Sequence, residues 1–130
     1  MTQPNWIDKY LFELTKYQKQ LDQLHPEMKV QRIEILSKQL VFIGKLAAEF
    51  SEQYKRIYAT RKRVYAETKL AATKNKAEVA ELAVAELREE EATAYGNMVR
   101  WKNAFTSTQE EANALKYRVR VDIEDGSSRR

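Results

Sequence analysis

A run of basic residues with tyrosines among them is the feature of this sequence that predicts a binding chemistry. Its lysines recur at intervals of seven residues: Lys55, Lys62, Lys69 and Lys76. In one continuous α-helix this spacing places them along one side, over about 30 Å at 1.5 Å per residue. Lys and Arg side chains on such a ridge neutralise phosphates, and tyrosine rings stack on unpaired bases. The predicted nucleic-acid-binding residues are Lys55, Arg56, Tyr58, Arg61, Lys62, Arg63, Tyr65, Lys69, Lys74 and Lys76.

The charge distribution also permits a second interpretation of the same residues. Residues 51–76 contain eight Lys or Arg and two Glu, whereas residues 77–111 contain eight Glu and three basic residues. If the chain turns near residue 75, the two segments lie antiparallel and their charges can pair with each other. Exposed pairs of this kind contribute little stability. The sequence alone leaves both the polyanion-binding ridge and the internal charge zipper open.

Residues for other kinds of chemistry are few in this chain. There is no Cys, His25 is the only histidine, and the three glycines, Gly44, Gly96 and Gly126, are isolated from one another. These features argue against a thiolate nucleophile, a zinc site, a Ser-His-Asp triad and a phosphate-binding loop. The run Glu89 to Glu91 is typical of a solvated helix face. We therefore predict no catalytic residues, no metal and no cofactor.

Hydrophobic periodicity predicts an all-α fold that presents the basic ridge on a helix. A short first helix opens near Asn5, a predicted N-cap, and is interrupted at His25-Pro26. Two long amphipathic helices follow, one through about residue 70 and one from Ala77, and the polar run 73–77 between them either turns or continues as helix. The predicted packing and oligomer seam is Ile33, Leu36, Leu40, Ile43, Phe50, Tyr54, Met98, Trp101, Phe105 and Leu115. We expect an antiparallel coiled-coil hairpin that buries its wide apolar stripes in a homo-oligomer.

Length and composition indicate the domain organisation. With 130 residues, 32% of them charged, and only three Gly and two Pro, the chain has the composition of long helices in one domain. We assign residues 1–121 to a single helical domain and residues 122–130 to a flexible tail, to which Arg129 and Arg130 belong. The N-terminus lacks the pattern of a signal peptide, and no apolar run is long enough to span a bilayer. These observations predict a soluble cytoplasmic protein without a membrane partner.

Two local segments resemble a known family. The run Arg61-Lys62-Arg63-Val64-Tyr65, and Trp101 with the segment from Ala112 to Arg118, are similar to the UvsY-type recombination mediators of T4-like phages. Small uncharacterised helical phage early proteins share the same layout. The resemblance covers residues 28–120 at the level of pattern.

The resemblance implies an oligomeric protein of the host cytoplasm that binds single-stranded DNA. Such a mediator helps a recombinase to displace the single-strand-binding protein. The implied partners are therefore a recombinase or a single-strand-binding protein. Arg61 and Arg63 would contact phosphates with Tyr65 beside them. Apart from the resemblance, we expect that Arg118 and Arg120, together with Arg129 and Arg130, extend the surface. The alternative is a helical protein-interaction module, such as an assembly chaperone, an adaptor or an inhibitor of a host protein, whose working surface is the stripe from Ile33 to Ile57. A scaffold that binds only itself is a third possibility.

Overall fold

The computed structural model describes the backbone of residues 5–128 and the side chains of residues 6–126, and all regular secondary structure in this part of the chain is helical. The four helices are α1 (Asn5–Gln23), α2 (Lys29–Ala71), α3 (Lys76–Ala83) and α4 (Ala85–Ser128). The predicted all-α fold is therefore confirmed. The side chain of Asn5, the predicted N-cap, lies outside the described residues, as do Arg129 and Arg130.

The break between α1 and α2 lies where the sequence places it. Proline restricts the residue before it to extended conformations, so a helix ends at or before His25. The short connection is closed by a hydrogen bond from Met28 N–H to the His25 carbonyl (2.9 Å). Arg32 Nη1 donates to the carbonyl of Leu21 (3.1 Å), which gives a partner to one of the acceptors left open in the last turn of α1.

The polar run after α2 forms a turn. Helix α2 ends at Ala71, and Asn75 adopts a left-handed conformation (φ 51°, ψ 47°) immediately before α3 begins. Asn is one of the few residues besides Gly that visits this region at modest cost. The question that the sequence leaves open at residues 73–77 is thus resolved in favour of a turn.

The second long helix differs from the prediction of one uninterrupted segment. It is divided into α3 and α4 at Val84, whose backbone (φ −105°, ψ 7°) departs from helical geometry. The side chain of Val84 is fully buried. Gly96 and the polar run 106–108, by contrast, lie inside α4 and do not interrupt it. The division is invisible to periodicity because an apolar residue at position 84 fits the helical pattern equally well.

Helix α4 also extends farther than the sequence suggests. It continues from Asp122 through Ser128, within the segment for which we predict a tail. Asp122 accepts a hydrogen bond from Lys29 Nζ (2.7 Å) at the start of α2, and this contact attaches the beginning of that segment to the fold.

The described chain packs as two compact units. Unit 1 comprises the residues through Leu46 together with those from Trp101 onward, and unit 2 comprises Ala47–Arg100. In unit 1, Leu21, Leu36, Ala112 and Leu115 form a buried cluster, and the buried side chain of Gln39 donates to Gln18 (3.0 Å). In unit 2 the buried apolar residues are Phe50, Ala80, Val84, Ala94 and Met98.

The predicted seam residues pack within the chain. Buried members are Leu36, Ile43, Phe50, Met98 and Leu115. Half-buried members are Ile33, Leu40, Tyr54, Trp101 and Phe105. Intramolecular packing therefore covers half of the predicted seam, and the other half retains some exposed surface.

Candidate nucleic-acid interface

Three of the predicted basic residues form a regular exposed row on α2. Lys55, Lys62 and Lys69 are all exposed, and at 1.5 Å per residue they extend over about 21 Å of helix. Within residues 6–126, none of the three has an ion-pair partner. These lysines are therefore available to an anionic ligand.

The row is shorter than the sequence predicts. Lys74 lies in the turn after α2, and Lys76 begins α3, so neither continues the helical row. The regular interval of seven residues aligns side chains only within one uninterrupted helix, and α2 ends at Ala71. The predicted ridge through Lys76 is thus corrected to a row that ends at Lys69.

Arg61 is used for packing within unit 2. Its guanidinium forms an ion pair with Glu91 of α4, in which Nε donates to Oε2 and Nη2 donates to Oε1 (3.4 Å). The two side chains are only 14% and 16% exposed. The hydrogen bond to Glu91 raises the pKa of Arg61 above its ordinary value. Arg61 is therefore not a free phosphate ligand, which corrects its place in the predicted binding set.

The internal zipper is limited to that one pair. Glu78, Glu86, Glu89 and Glu90 are exposed and have no ion-pair partner among the described side chains. Glu81 contacts Arg88 (3.1 Å), a residue of the same acidic segment. Neither the polyanion-binding ridge nor the internal charge zipper describes the whole segment, because Arg61 pairs internally while most of the lysines remain exposed.

Among the described side chains, the ion-pair partners of Arg56 and Arg63 are local. Arg56 contacts Glu52, and Arg63 lies 3.9 Å from Glu67; each pair is one helical turn apart on α2. All four side chains are more than half exposed. Solvent screens such pairs and they contribute little. A phosphate can therefore compete with the glutamate for either arginine.

Two tyrosines lie beneath these cations. Tyr58 is 37% exposed, and its ring centroid is 4.8 Å from Lys62 Nζ and 5.3 Å from the Arg61 guanidinium carbon. Tyr65 is half-buried, with Lys69 Nζ 5.9 Å from its ring. A phenol beside an ammonium offers both a stacking surface and a phosphate contact. Tyr54 differs, because its ring packs against Tyr95 (5.4 Å) inside unit 2.

The arrangement has the properties of a binding surface for a linear polyanion. We define the basic face as Lys55, Arg56, Tyr58, Lys62, Arg63, Tyr65 and Lys69.

Among the described residues, no group of three or more His, Asp or Glu side chains is placed to bind a metal ion. In the same part of the chain, no helix contains an apolar stretch that is long enough to cross a membrane.

Comparison with known proteins gives no independent assignment. No protein-family model, curated protein or solved structure matches the chain. The functional interpretation therefore depends on the geometry and charge of the chain itself.

Proposed function

We propose that this protein is a non-enzymatic accessory protein that binds single-stranded DNA through the basic face of α2. The observation that supports the proposal is the exposed row Lys55, Lys62 and Lys69, which has no ion-pair partner among the side chains that the structure describes. A row of cations along a helix suits a ligand whose negative charges are themselves arranged in a line. Neutralising those phosphates releases condensed counterions, and this release drives binding.

The same face favours a single strand over a duplex. Tyr58 and Tyr65 lie among the cations, and an aromatic ring stacks on bases only when those bases are unpaired. Every base has a π-face, so stacking and phosphate contacts together give binding that depends little on sequence. The expected ligand is a flexible single strand of any base composition.

The proposed role in the cell is that of a phage-type recombination mediator in the host cytoplasm. It follows from the resemblance of residues 61–65 and 112–118 to that family, and it names a recombinase or a single-strand-binding protein as the protein partner. We further propose that α2 and α4 form antiparallel coiled-coil arms within unit 2. Tyr54 contacts Tyr95, and Arg61, farther along α2, contacts Glu91, which comes earlier in α4. The two helices therefore run in opposite directions where they meet.

Self-association is part of the same proposal. Exposed apolar side chains available to bury surface against another copy include Phe12, Val30, Val41, Leu70, Leu82, Tyr117 and Ile123. Multi-angle light scattering gives the mass directly, and a monomer at all concentrations would remove this part of the proposal.

The test of DNA binding is fluorescence anisotropy with a labelled oligothymidylate, titrated at several salt concentrations. We compare wild type with a variant that carries Lys55→Gln, Lys62→Gln and Lys69→Gln. Each lost phosphate contact reduces the slope of log K against log salt by about 0.7, so the triple change reduces it by about 2. Helix content, measured by circular dichroism, should not change because the three side chains are exposed.

A matched control variant carries Lys19→Gln, Lys102→Gln and Lys116→Gln. These lysines are also exposed, and their removal lowers the net charge by the same amount. If both variants lose affinity equally, binding follows net charge and the basic face is not the site. If neither variant differs from wild type, the assignment is wrong.

The second candidate function, a protein-interaction module, is favoured by two apolar side chains near the turn of unit 2. Leu70 is 85% exposed and Leu82 is 80% exposed. The salt titration separates the two functions. If DNA binding is lost as the salt concentration is raised to about 0.15 M, it is the nonspecific attraction expected of a basic chain. Such a result would make the apolar residues the working surface.

A further inference from the structure

A second group of aromatic and basic side chains lies in unit 1, outside the basic face. The rings of Tyr10 and Tyr17 on α1 each lie beside Phe42 on α2, with centroids 6.0 Å and 6.1 Å apart. Trp6 continues the series at 5.9 Å from Tyr10. The Tyr17 and Phe42 rings are stacked, with an interplanar angle of 27°. Four rings thus follow one another across α1 and α2.

Lysine ammonium groups lie over these rings. Lys45 Nζ is 5.5 Å from the Tyr10 centroid and 5.3 Å from that of Phe42. Lys38 Nζ is 5.8 Å from the Tyr17 centroid. Each distance is within the range of a cation–π contact. The combination of tyrosine and lysine found on the basic face therefore occurs a second time, on different residues.

The charges of this group are largely unpaired. Lys38 and Lys45 are exposed, and neither has an ion-pair partner among the described side chains. They are seven residues apart on α2, which is about 10.5 Å along the helix. A third lysine, Lys16, lies 4.8 Å from the Tyr17 ring but is paired with Glu13 at 2.8 Å. The group thus offers two available cations beside half-buried rings.

Packing of α1 on α2 accounts for the rings but not for the lysines. Aromatic side chains between two helices bury apolar area whatever residues surround them. That packing does not require an ammonium group at either place, Lys45 beside Tyr10 and Phe42 or Lys38 beside Tyr17. Both lysines have long side chains that can turn toward an anion. A ligand with alternating phosphates and flat bases satisfies both parts of the group together.

We propose that this aromatic–lysine group, defined as Tyr10, Tyr17, Phe42, Lys38 and Lys45, is a second contact surface for single-stranded nucleic acid. The ammonium groups leave the ring faces to contact phosphates, and bases take their place against the rings. The inference shares its ligand class with the proposed function, but it depends on residues of unit 1 only. Either surface can therefore be present without the other.

The test combines two variants with a photoreactive ligand. Lys38→Gln with Lys45→Gln should flatten the salt slope by about 1.4, from two lost contacts at about 0.7 each. Phe42→Leu keeps an apolar side chain but removes a ring, and it should weaken binding about tenfold with an unchanged salt slope. The control, Lys19→Gln with Lys116→Gln, removes the same charge from exposed positions elsewhere. Circular dichroism verifies that each variant is folded.

Crosslinking provides a measurement that does not depend on folding of the variants. Wild-type protein is irradiated with oligothymidylate and, separately, with oligouridylate that carry photoreactive bases, and the attachment sites are identified by mass spectrometry. Crosslinks at Tyr10, Tyr17 or Phe42 are expected, and the comparison of the two ligands distinguishes DNA from RNA.

The outcomes separate the two surfaces. Loss of affinity only in the Lys55, Lys62 and Lys69 variant, with crosslinks confined to unit 2, overturns the inference and leaves the proposed function standing. Loss only in the Lys38 and Lys45 variant, with crosslinks in unit 1, supports the inference and removes the basic face as the site. Absence of binding by wild type eliminates both.

Discussion

Arg61 of α2 and Glu91 of α4 form a two-point ion pair, although thirty residues separate them in sequence. Both side chains are largely withdrawn from solvent, and the guanidinium also lies against the ring of Tyr58. Arg61 is thus a structural residue inside a basic segment whose other members are exposed. A change at Arg61 acts first on the folding of unit 2, and any effect on DNA binding follows from that.

The arginines at positions 61 and 63 should therefore behave differently. Arg61→Ala should lower the free energy of unfolding because it leaves the Glu91 carboxylate without its partner in a largely buried site. Arg63→Ala should leave stability almost unchanged and reduce only DNA affinity. Double-mutant cycles in urea, Arg61 with Glu91 and Arg63 with Glu67, measure the two couplings. Equal coupling energies in the two cycles would contradict the structural role of Arg61.

The turn before α3 depends on the left-handed backbone of Asn75. Asn75→Ala should destabilise the protein by about 1 kcal/mol, because alanine has the same Cβ but lacks the short polar side chain that makes this conformation accessible to asparagine. Asn75→Gly should be close to neutral, since glycine adopts positive φ without strain. Thermal unfolding of the two variants checks the prediction. A more stable Ala variant would indicate that α2 and α3 are one continuous helix in solution.

The glycines inside the long helices offer a comparison of packing with helix propensity. Around Gly96, an added Cβ meets nothing within 4 Å, so Gly96→Ala should stabilise the protein by about 1 kcal/mol. At Gly44 the same Cβ would lie 3.3 Å from Cε2 of Phe105. Gly44→Ala should therefore stabilise less, because the ring must shift. Denaturant titrations of both variants measure their free energies of unfolding. We expect the increase over wild type to be larger for Gly96→Ala than for Gly44→Ala.

Leu46, a residue of unit 1, is fully buried, so stability should be sensitive to loss of volume there. Leu46→Ala should cost about 2–5 kcal/mol, from lost apolar burial and the cavity that remains. Leu82 is 80% exposed, and Leu82→Ala serves as the matched control with an effect of about 0.5 kcal/mol or less. Urea unfolding followed by circular dichroism distinguishes the two. A small effect at Leu46 would mean that the unit is loosely packed.

The contact between Lys29 and Asp122 should make stability sensitive to alkaline pH. The hydrogen bond to Asp122 raises the pKa of Lys29 above its ordinary value of 10.5. A raised pKa means that the contact stabilises the fold fully below pH 10.5 and loses this contribution as the pH rises through the folded-state pKa. Wild type should therefore exceed Lys29→Met in stability at neutral pH, and the difference should disappear in strong alkali. A difference that is constant with pH would exclude the ion pair as its cause.

The helical fold could be predicted from sequence because it depends on local properties. Apolar residues recur with helical spacing, Pro26 interrupts the pattern, and the scarcity of glycine leaves α2 and α4 free to run for many turns. The seam residues are distinguished by the same periodicity, since a residue's position on a helix face depends on its spacing alone. The row of lysines from Lys55 to Lys69 was predictable for the same reason.

The aromatic–lysine group was missed because its members come from two separate segments. Lys38 and Lys45 have the interval of seven that is present on the basic face, and this was the available signal. The sequence did not show that α1 packs against α2, and this packing brings Tyr10 and Tyr17 to Phe42. Contacts between helices depend on how the helices pack, and spacing within one helix does not determine it.

The sequence by itself determined the helical class, the interruption at Pro26 and the common face of Lys55, Lys62 and Lys69 on α2, because these follow from backbone geometry and local preference. Tertiary structure decided the break at Val84, the end of the lysine row before Lys74, and the separation of Arg61 from its basic neighbours. A charged side chain has the same identity and spacing whether it faces water or a carboxylate on another helix. Only the packing of α2 with α4 brought Glu91 to Arg61 and left Lys62 exposed to solvent.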